Sequence, residues 1–405
     1  MRLITTADAK DLAAELSQNV SGDVRFDSMS RQLYSTDASI YQIEPVGVVL
    51  PRNADDVAAV IEISAQHRIP VLPRGGGTSL AGQTLGCGVV IDFSKYMRDV
   101  VEVNADEMWV RTQPGIILDE LNLKLRHLGL EFAPDPSTSN RANVGGALGN
   151  NSCGAHSIVW GKTADNVIAL TSLLSDGTVA DLRHLDGEGL RSKFSQEGLE
   201  GDIYRRLNEL ASNVRGEVEA RYPKILRRVS GYNLDELGID GFDMARFVVG
   251  SEGTLVAITE AKLKLVPIPS HKALAVIHFD EMLDSMEATV STLEEKPAAV
   301  ELIGSMILRQ AKTNSEYARM IDFIEGDPEA VLVVEVTGED EIELESKLDS
   351  LEKRMRNGRH GYAFRRLVAI EDQSKVWAVR KAGLGLMMNV KGNSKPLPFV
   401  EDTAV

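Results

Sequence analysis

Cysteine is nearly missing. Cys87 and Cys153 are the two thiols in 405 residues. Two cysteines exclude a disulfide framework and any CxxC metal or redox pair. They leave a choice between one disulfide and two reduced thiols, and the second suits a cytosolic protein. Positive charge is also short: Lys plus Arg number 44 against 60 Asp plus Glu, a formal net charge of −16. Nucleic-acid binding runs on basic patches, so that class is disfavoured. Attraction to an anionic membrane surface is disfavoured for the same reason. No run approaches the roughly 18 apolar residues of a membrane span. The N-terminal stretch MRLITTADAKDLAAELSQ has no long apolar core and no small-residue cleavage site, so it is neither a signal nor a transit peptide. A soluble cytoplasmic protein is expected, with peripheral docking at the inner membrane left open. The histidines (His67, His127, His156, His184, His271, His278, His360) show no HxH or HExxH spacing, so no metal site is expected within the chain.

The length suggests two to four domains at roughly 100–200 residues each. Hydrophobic residues make up 43% and charged residues 26%, ordinary globular values with material for more than one core. After a lead-in with a helix over Thr6–Ser17, a βαβ pattern begins. Val46–Leu50 reads as a strand, Asn53 as a helix N-cap, and Val57, Val60 and Ile61 as the apolar face of the helix. Ile69–Pro73, Val89–Asp92 and Trp109–Thr112 read as strands, and Ile116–Leu128 as an amphipathic helix. Residues 134–166 show no clear period and are rich in Gly, Ser, Asn and Ala. A loop of that length inside a compact domain is usually functional. Val167–Leu174 is a strand running to an Asp176-Gly177 turn. Phe247–Val249, Thr254–Thr259 and Ala261–Val266 read as β. Pro267-Ile268-Pro269 punctuates the chain. Beyond it strands (Ala273–Phe279, Ala299–Leu302, Val331–Val336, Ala363–Ala369) alternate with helices (Met282–Glu294, one from Ser305, Glu341–Asn357). This is a second α+β unit, with the boundary near Ser270.

Two motifs fail on inspection. Gly161-Lys162-Thr163 ends like a phosphate-binding P-loop, but His156 stands where that motif needs Gly. Gly75-x-Gly77 opens like a dinucleotide fingerprint, but Leu80 occupies the sixth position. The loop Arg74–Gln83 still has anion-binding chemistry. Consecutive glycines let backbone N–H groups converge on one point, and Thr78 and Ser79 add hydroxyls. Three adjacent glycines cost roughly 0.5–1 kcal/mol each against Ala in ordered structure, which argues against a mere flexible turn. In Pro134–Ser137 and Val144–Gly154, small residues allow a backbone to approach a flat ligand, or simply to pack tightly. Gly250–Leu255 reads either as part of such a site or as a turn entering a strand.

Taken together these segments resemble the FAD-binding domain of the vanillyl-alcohol oxidase / p-cresol methylhydroxylase (PCMH) superfamily. Within it they are similar to the D-lactate dehydrogenase, glycolate oxidase and D-2-hydroxyglutarate dehydrogenase branch. The resemblance rests on PRGGGTSLAGQ (Pro73–Gln83), PDPST (Pro134–Thr138), VGGALGNNSCG (Val144–Gly154), WGKTADNV (Trp160–Val167) and GSEGTLVAITEAKLKLVP (Gly250–Pro267). It implies an α+β chain. A lead-in helix (1–40) precedes a two-subdomain FAD-binding PCMH-type domain (41–269), and an α+β substrate cap (270–405), incomplete at its C-terminus, follows. It implies that Pro73, Arg74, Gly75, Gly76, Gly77, Thr78 and Ser79 cradle the FAD pyrophosphate, with Gly82 and Gln83 closing the turn. Pro136, Ser137, Gly145, Gly146, Asn150, Cys153, Gly154 and Ser157 would line the flavin and ribityl chain. Gly161, Thr163, Asp165, Val167, Glu252, Gly253 and Ile258 would complete the adenine and ribityl side. FAD would be held non-covalently, Cys153 and His156 being the local residues capable of a covalent link.

In the second unit Trp377-Ala378-Val379-Arg380 resembles the family's W-x-x-R signature. Arg380 would bind the carboxylate of a small-molecule 2-hydroxy acid. Lys395 falls where relatives carry a second cation, or is simply a solvated lysine. The expected activity is oxidation of D-lactate or D-2-hydroxyglutarate to the 2-oxo acid by hydride transfer to FAD. Electrons would pass to an iron–sulfur module, cytochrome or quinone rather than to NAD. The resemblance leaves room for a homodimer. No histidine follows His360, whereas relatives carry a histidine motif further on. The base is therefore expected beyond Val405, and a divalent metal or iron–sulfur cluster only in a longer form. The alternative is a flavin-binding module inactive without that further part.

Overall fold

The structure is a computed structural model that describes residues 6–238 and 241–397. The chain forms two compact units. The first comprises residues up to Gly154 and Trp160–Val266, the second Ala155–Val159 and Pro267–Leu397.

The first unit holds two main sheets. Four strands lie in the order Asp23–Arg25, Gly47–Leu50, Val89–Asp92, Val71–Arg74. The last three are mutually parallel, so Val89–Asp92 inserts between the two strands of the βαβ pattern. The helix Ala54–Gln66 makes that crossover. Asn53 caps it by accepting the Asp56 N–H at 2.9 Å, and Asp55 and Asp56 place negative charge at its positive end. Val57, Val60 and Ile61 pack with Leu12, Leu16 and Ile91. A six-stranded antiparallel sheet follows, in the order Phe242–Asp243, Val179–Leu185, Val167–Leu173, Ala257–Lys264, Trp109–Thr112, Val100–Asn104.

Three readings of this unit change. Phe247–Val249, expected as β, lies in and just after the helix Met244–Val248. Asp243 caps this helix through the Arg246 N–H, and Ala245, Phe247 and Val248 are all buried. A short apolar run carries no period that separates helix from strand. Thr254–Val256 is loop, and the strand starts at Ala257. The aperiodic stretch contains the short helices Val144–Asn150 and Ser157–Trp160.

The second unit is a four-stranded antiparallel sheet in the order Ala299–Gly304, Ala330–Gly338, His271–Phe279, Ala363–Leu367. Side-chain alternation divides it into two cores. Ala273, Ala275, Ile277, Leu332 and Val334 pack with the helices Met282–Leu293 and Glu341–Gly358. Leu274, Val276, Ile303, Val331 and Val333 face the other way. They pack with Leu308, Val376, Val379 and Leu386 of the helices Ser305–Thr313, Ile370–Lys381 and Gly383–Met388.

Candidate active site

The strand Val71–Arg74 delivers Pro73 and Arg74 to the start of the glycine loop. Gly77 (φ +62°) and Gly82 (φ +84°) adopt the left-handed conformation that favours glycine. A Cβ on Gly76 would lie 2.3 Å from the Arg141 carbonyl oxygen, so the loop has room for backbone only. The amides of Gly75, Gly76, Gly77 and Thr78 donate to no acceptor among the described residues. Four successive orphan donors beside a left-handed glycine form a nest for an anion. Ser79 Oγ donates to the Gln83 side-chain oxygen. The Arg74 guanidinium braces the loop from one side, its Nη2 lying 2.6 Å from where a Cβ on Gly77 would stand. This guanidinium donates to the carbonyls of Tyr34 (3.0 Å), Thr36 (2.7 Å) and Thr84 (3.4 Å), and burial lowers its pKa. Tyr34 is fixed in turn by Asp92, and burial followed by the Asp92 charge pushes its phenol pKa up.

The other implied segments close around this loop within the first unit. Asn143, which is buried, donates from Nδ2 to the Gly115 carbonyl, and its Oδ1 would meet a Cβ on Gly75 at 3.0 Å. Gly145 lies against Pro114, where a Cβ would come within 2.7 Å of the proline ring, whereas Gly146 faces open space. Pro136 accepts the Ser139 N–H at 2.8 Å, and Ser137 beside it is half-buried. Gly154 crosses the PDPST segment, where a Cβ would clash with Asp135. The segment Gly250–Gly253 docks on the end of the helix Val144–Asn150. Gly250 N–H bonds the Leu148 carbonyl, Glu252 N–H bonds the Gly149 carbonyl, both at 2.9 Å, and Asn150 Nδ2 lies 3.3 Å from Glu252 Oε1. Gly253 (φ +70°) reaches Pro73, so this segment meets the start of the glycine loop.

Thr163 is buried and donates from Oγ1 to the Ser152 carbonyl at 2.7 Å. Asp165 accepts the Lys162 N–H at 2.8 Å across the turn made by Gly161 (φ +74°). Val167 and Ile258 lie on paired neighbouring strands. Cys153 Sγ accepts from Arg227 Nη2 at 2.8 Å and Nε at 3.2 Å. Asn151, fully buried, accepts the Ala164 N–H through Oδ1, while its Nδ2 has no hydrogen-bond partner among the described residues. The orphan amides, the buried unpaired Nδ2 and the open space at Gly146 suit a flat ligand carrying phosphates. The residues present therefore fit FAD.

Ser157 and His156 belong to the segment that packs with the second unit. His156 Nε2 lies 3.0 Å from Glu335 Oε1, and its ring centroid is 5.9 Å from that of Trp377. Glu335 is 1% exposed. Lys272 Nζ stands 3.6 Å from its other oxygen. Burial alone would raise the Glu335 pKa, but the contact with His156, the charge of Lys272 and Trp377 beside it bring it below the ordinary value. Arg380, one helical turn after Trp377, donates from Nε to Glu301 Oε2 at 2.8 Å. Its Nη1 and Nη2 bond no described residue. Lys395 is exposed, and its ammonium bonds the Val390 carbonyl.

Sequence reasoning missed Asn143, Arg227, Glu301 and Glu335. Asn143 directly precedes the Val144–Gly154 segment and was within reach. The other three act through partners distant in sequence, and no local pattern announces them.

A model described as "FAD binding domain" matches residues 45–183, and one described as "FAD linked oxidases, C-terminal domain" matches 268–405. The chain is 33% identical to a D-2-hydroxyglutarate dehydrogenase of Pseudomonas putida, over 97% of this chain and 40% of that protein. It is 34% identical to the enzyme of the same name from Escherichia coli, over 96% of this chain and 40% of that one. It thus spans about two fifths of the length of these relatives. An alkyldihydroxyacetonephosphate synthase structure shares the fold, with a TM-score of 0.65 at 17% identity, covering 94% of this chain and 64% of that one. The glycine loop, the segments that close on it and the two matched models together show that this chain carries an FAD-binding domain of the PCMH-type branch followed by the C-terminal domain of FAD linked oxidases.

Proposed function

We propose that the chain is the flavin and cap part of a dehydrogenase that oxidises a D-2-hydroxy acid, D-lactate or D-2-hydroxyglutarate, to the 2-oxo acid. FAD, when bound, supplies the hydride acceptor, and the electrons pass on to an acceptor other than NAD. The observation that carries the reading is Arg380. Its Nε is taken by Glu301, and its two terminal nitrogens hydrogen-bond no described residue. Two parallel N–H donors match the two oxygens of a carboxylate, which a lysine cannot do. The glycine loop would hold the FAD pyrophosphate through its orphan amides. The names of the relatives and the fit of the loop to FAD support the same reading.

The acid is set by what surrounds its far end. A site with a buried cation for a second carboxylate would reject D-lactate strongly. Lys395 is the candidate, and its exposed position on a loop carbonyl favours the monocarboxylate. The test is anaerobic titration of the FAD-loaded protein with each acid, followed at the flavin absorption bands. Bleaching by D-lactate or D-2-hydroxyglutarate, and not by the L-isomers, is expected. Bleaching by neither, with FAD bound, would favour a flavin module that needs a further part for catalysis.

A further inference from the structure

We propose that Glu301 is the positioning residue for Arg380: it holds Nε and thereby fixes which edge of the guanidinium meets an incoming carboxylate. The inference rests on the reading of Arg380 as the carboxylate-binding group. Glu301 sits on the edge strand Ala299–Gly304, opposite Val333 of the neighbouring strand. Val333 and Ile303 belong to the core that also holds Val376 and Val379 of the helix bearing Arg380. Glu301 therefore lies on the sheet face that this helix covers. Its side chain is 13% exposed and that of Arg380 28%, so the 2.8 Å contact is partly shielded from water. A guanidinium can receive a carboxylate side-on, through Nε and one terminal nitrogen, or end-on, through both terminal nitrogens. With Nε held by Glu301, end-on approach remains.

The contact also orders a long side chain before ligand arrives. An unanchored Arg loses rotamer freedom when it binds, which weakens affinity. The negative charge of Glu301 acts against an anion, so its benefit lies in geometry. This separates two substitutions. Glu301→Gln keeps a carbonyl oxygen that accepts from Nε and removes the charge. Glu301→Ala removes the anchor.

The test is calorimetric titration of pyruvate, a 2-oxo acid, into FAD-loaded protein, with KM and kcat for D-lactate measured alongside. Glu301→Ala is expected to weaken pyruvate at least 10-fold and to raise KM more than it lowers kcat. Glu301→Gln should stay within about 3-fold of wild type. In an Arg380→Ala background, Glu301→Ala should change affinity by less than 2-fold, because nothing remains to position. If Arg380→Ala abolishes pyruvate binding while Glu301→Ala leaves it intact, the positioning role is wrong and the substrate reading stands. Equal losses in both Arg380 backgrounds would mean a general structural effect and would also overturn the role. If wild-type protein binds neither pyruvate nor 2-oxoglutarate, or Arg380→Ala binds them normally, the substrate reading itself falls.

Discussion

On the proposed reading, the glycine loop of the first unit and the Arg380 face of the second meet negative charge by opposite means. The loop uses backbone. Four successive amides have no acceptor among the described residues, the residues bearing them are three glycines and a threonine, and Arg74 beside Gly77 braces neighbouring carbonyls. The second unit uses side chains tethered by carboxylates: Arg380 by the partly buried Glu301, and His156 by the buried Glu335. A backbone nest has few rotamers to order, but its shape admits almost no substitution. A side chain on a tether is tunable, and it fails by losing its tether rather than by collision. On that reading anion recognition is rigid in the first unit and adjustable in the second.

Gly76→Ala should break the rigid side with the largest effect. Its methyl would sit 2.3 Å from the Arg141 carbonyl oxygen, a backbone atom that cannot swing aside. Overpacking of this kind costs about 1–3 kcal/mol, so FAD affinity is expected to fall about 10- to 100-fold. Quenching of free FAD fluorescence on titration measures it. Unchanged affinity would show that the loop can shift, and the contrast between the two units would lose its basis.

Glu335→Gln tests the tethered side with an intermediate effect. The variant keeps the shape and loses the charged partner of His156 and Lys272, at a cost of about 1–2 kcal/mol near neutral pH. Since the Glu335 pKa is lowered in the fold, its contribution is present above the ordinary carboxylate range and is lost as pH falls through its native value. Urea unfolding curves of wild type and variant should therefore differ at pH 7 and converge in acid. A gap that widens in acid would show that the carboxylate is not held in its ionised form.

What could be read in the sequence follows the same division. The glycine loop, the Asn53 cap and the Asp176-Gly177 turn depend on residues within a few positions of each other, and the structure shows cap and turn at those residues. The flavin-side segments were legible because small residues in a row are a local signal. Glu301 and Glu335 gave none. Their importance depends on which strands become neighbours and which helix covers that face. The Arg227–Cys153 contact spans 74 positions. The helix Leu199–Arg221 escaped for another reason. Its apolar residues Leu199, Ile203, Leu207 and Ala211 do recur at helical spacing against the core, so the signal was present but diluted by the charged residues between them. Phe247 and its neighbours failed through burial on all sides, which erases the period altogether.

Gly146→Ala gives the smallest shift in stability and the sharpest test of why the first unit uses glycine. Unlike Gly76, Gly146 has nothing within 4 Å of where a Cβ would stand, and it lies inside the helix Val144–Asn150. Alanine is the better helix former, so the protein freed of FAD should be unchanged or stabilised by about 0.5–1 kcal/mol. If the open space belongs to the cofactor, the same methyl must weaken FAD binding. Stability without FAD and affinity for FAD would then move in opposite directions in one variant, which no packing role for the glycine predicts. Thermal melts with and without FAD measure both. If the melting temperature rises equally in the two conditions, the space at Gly146 does not face FAD. The backbone nest would then end at the glycine loop, without extending along the helix.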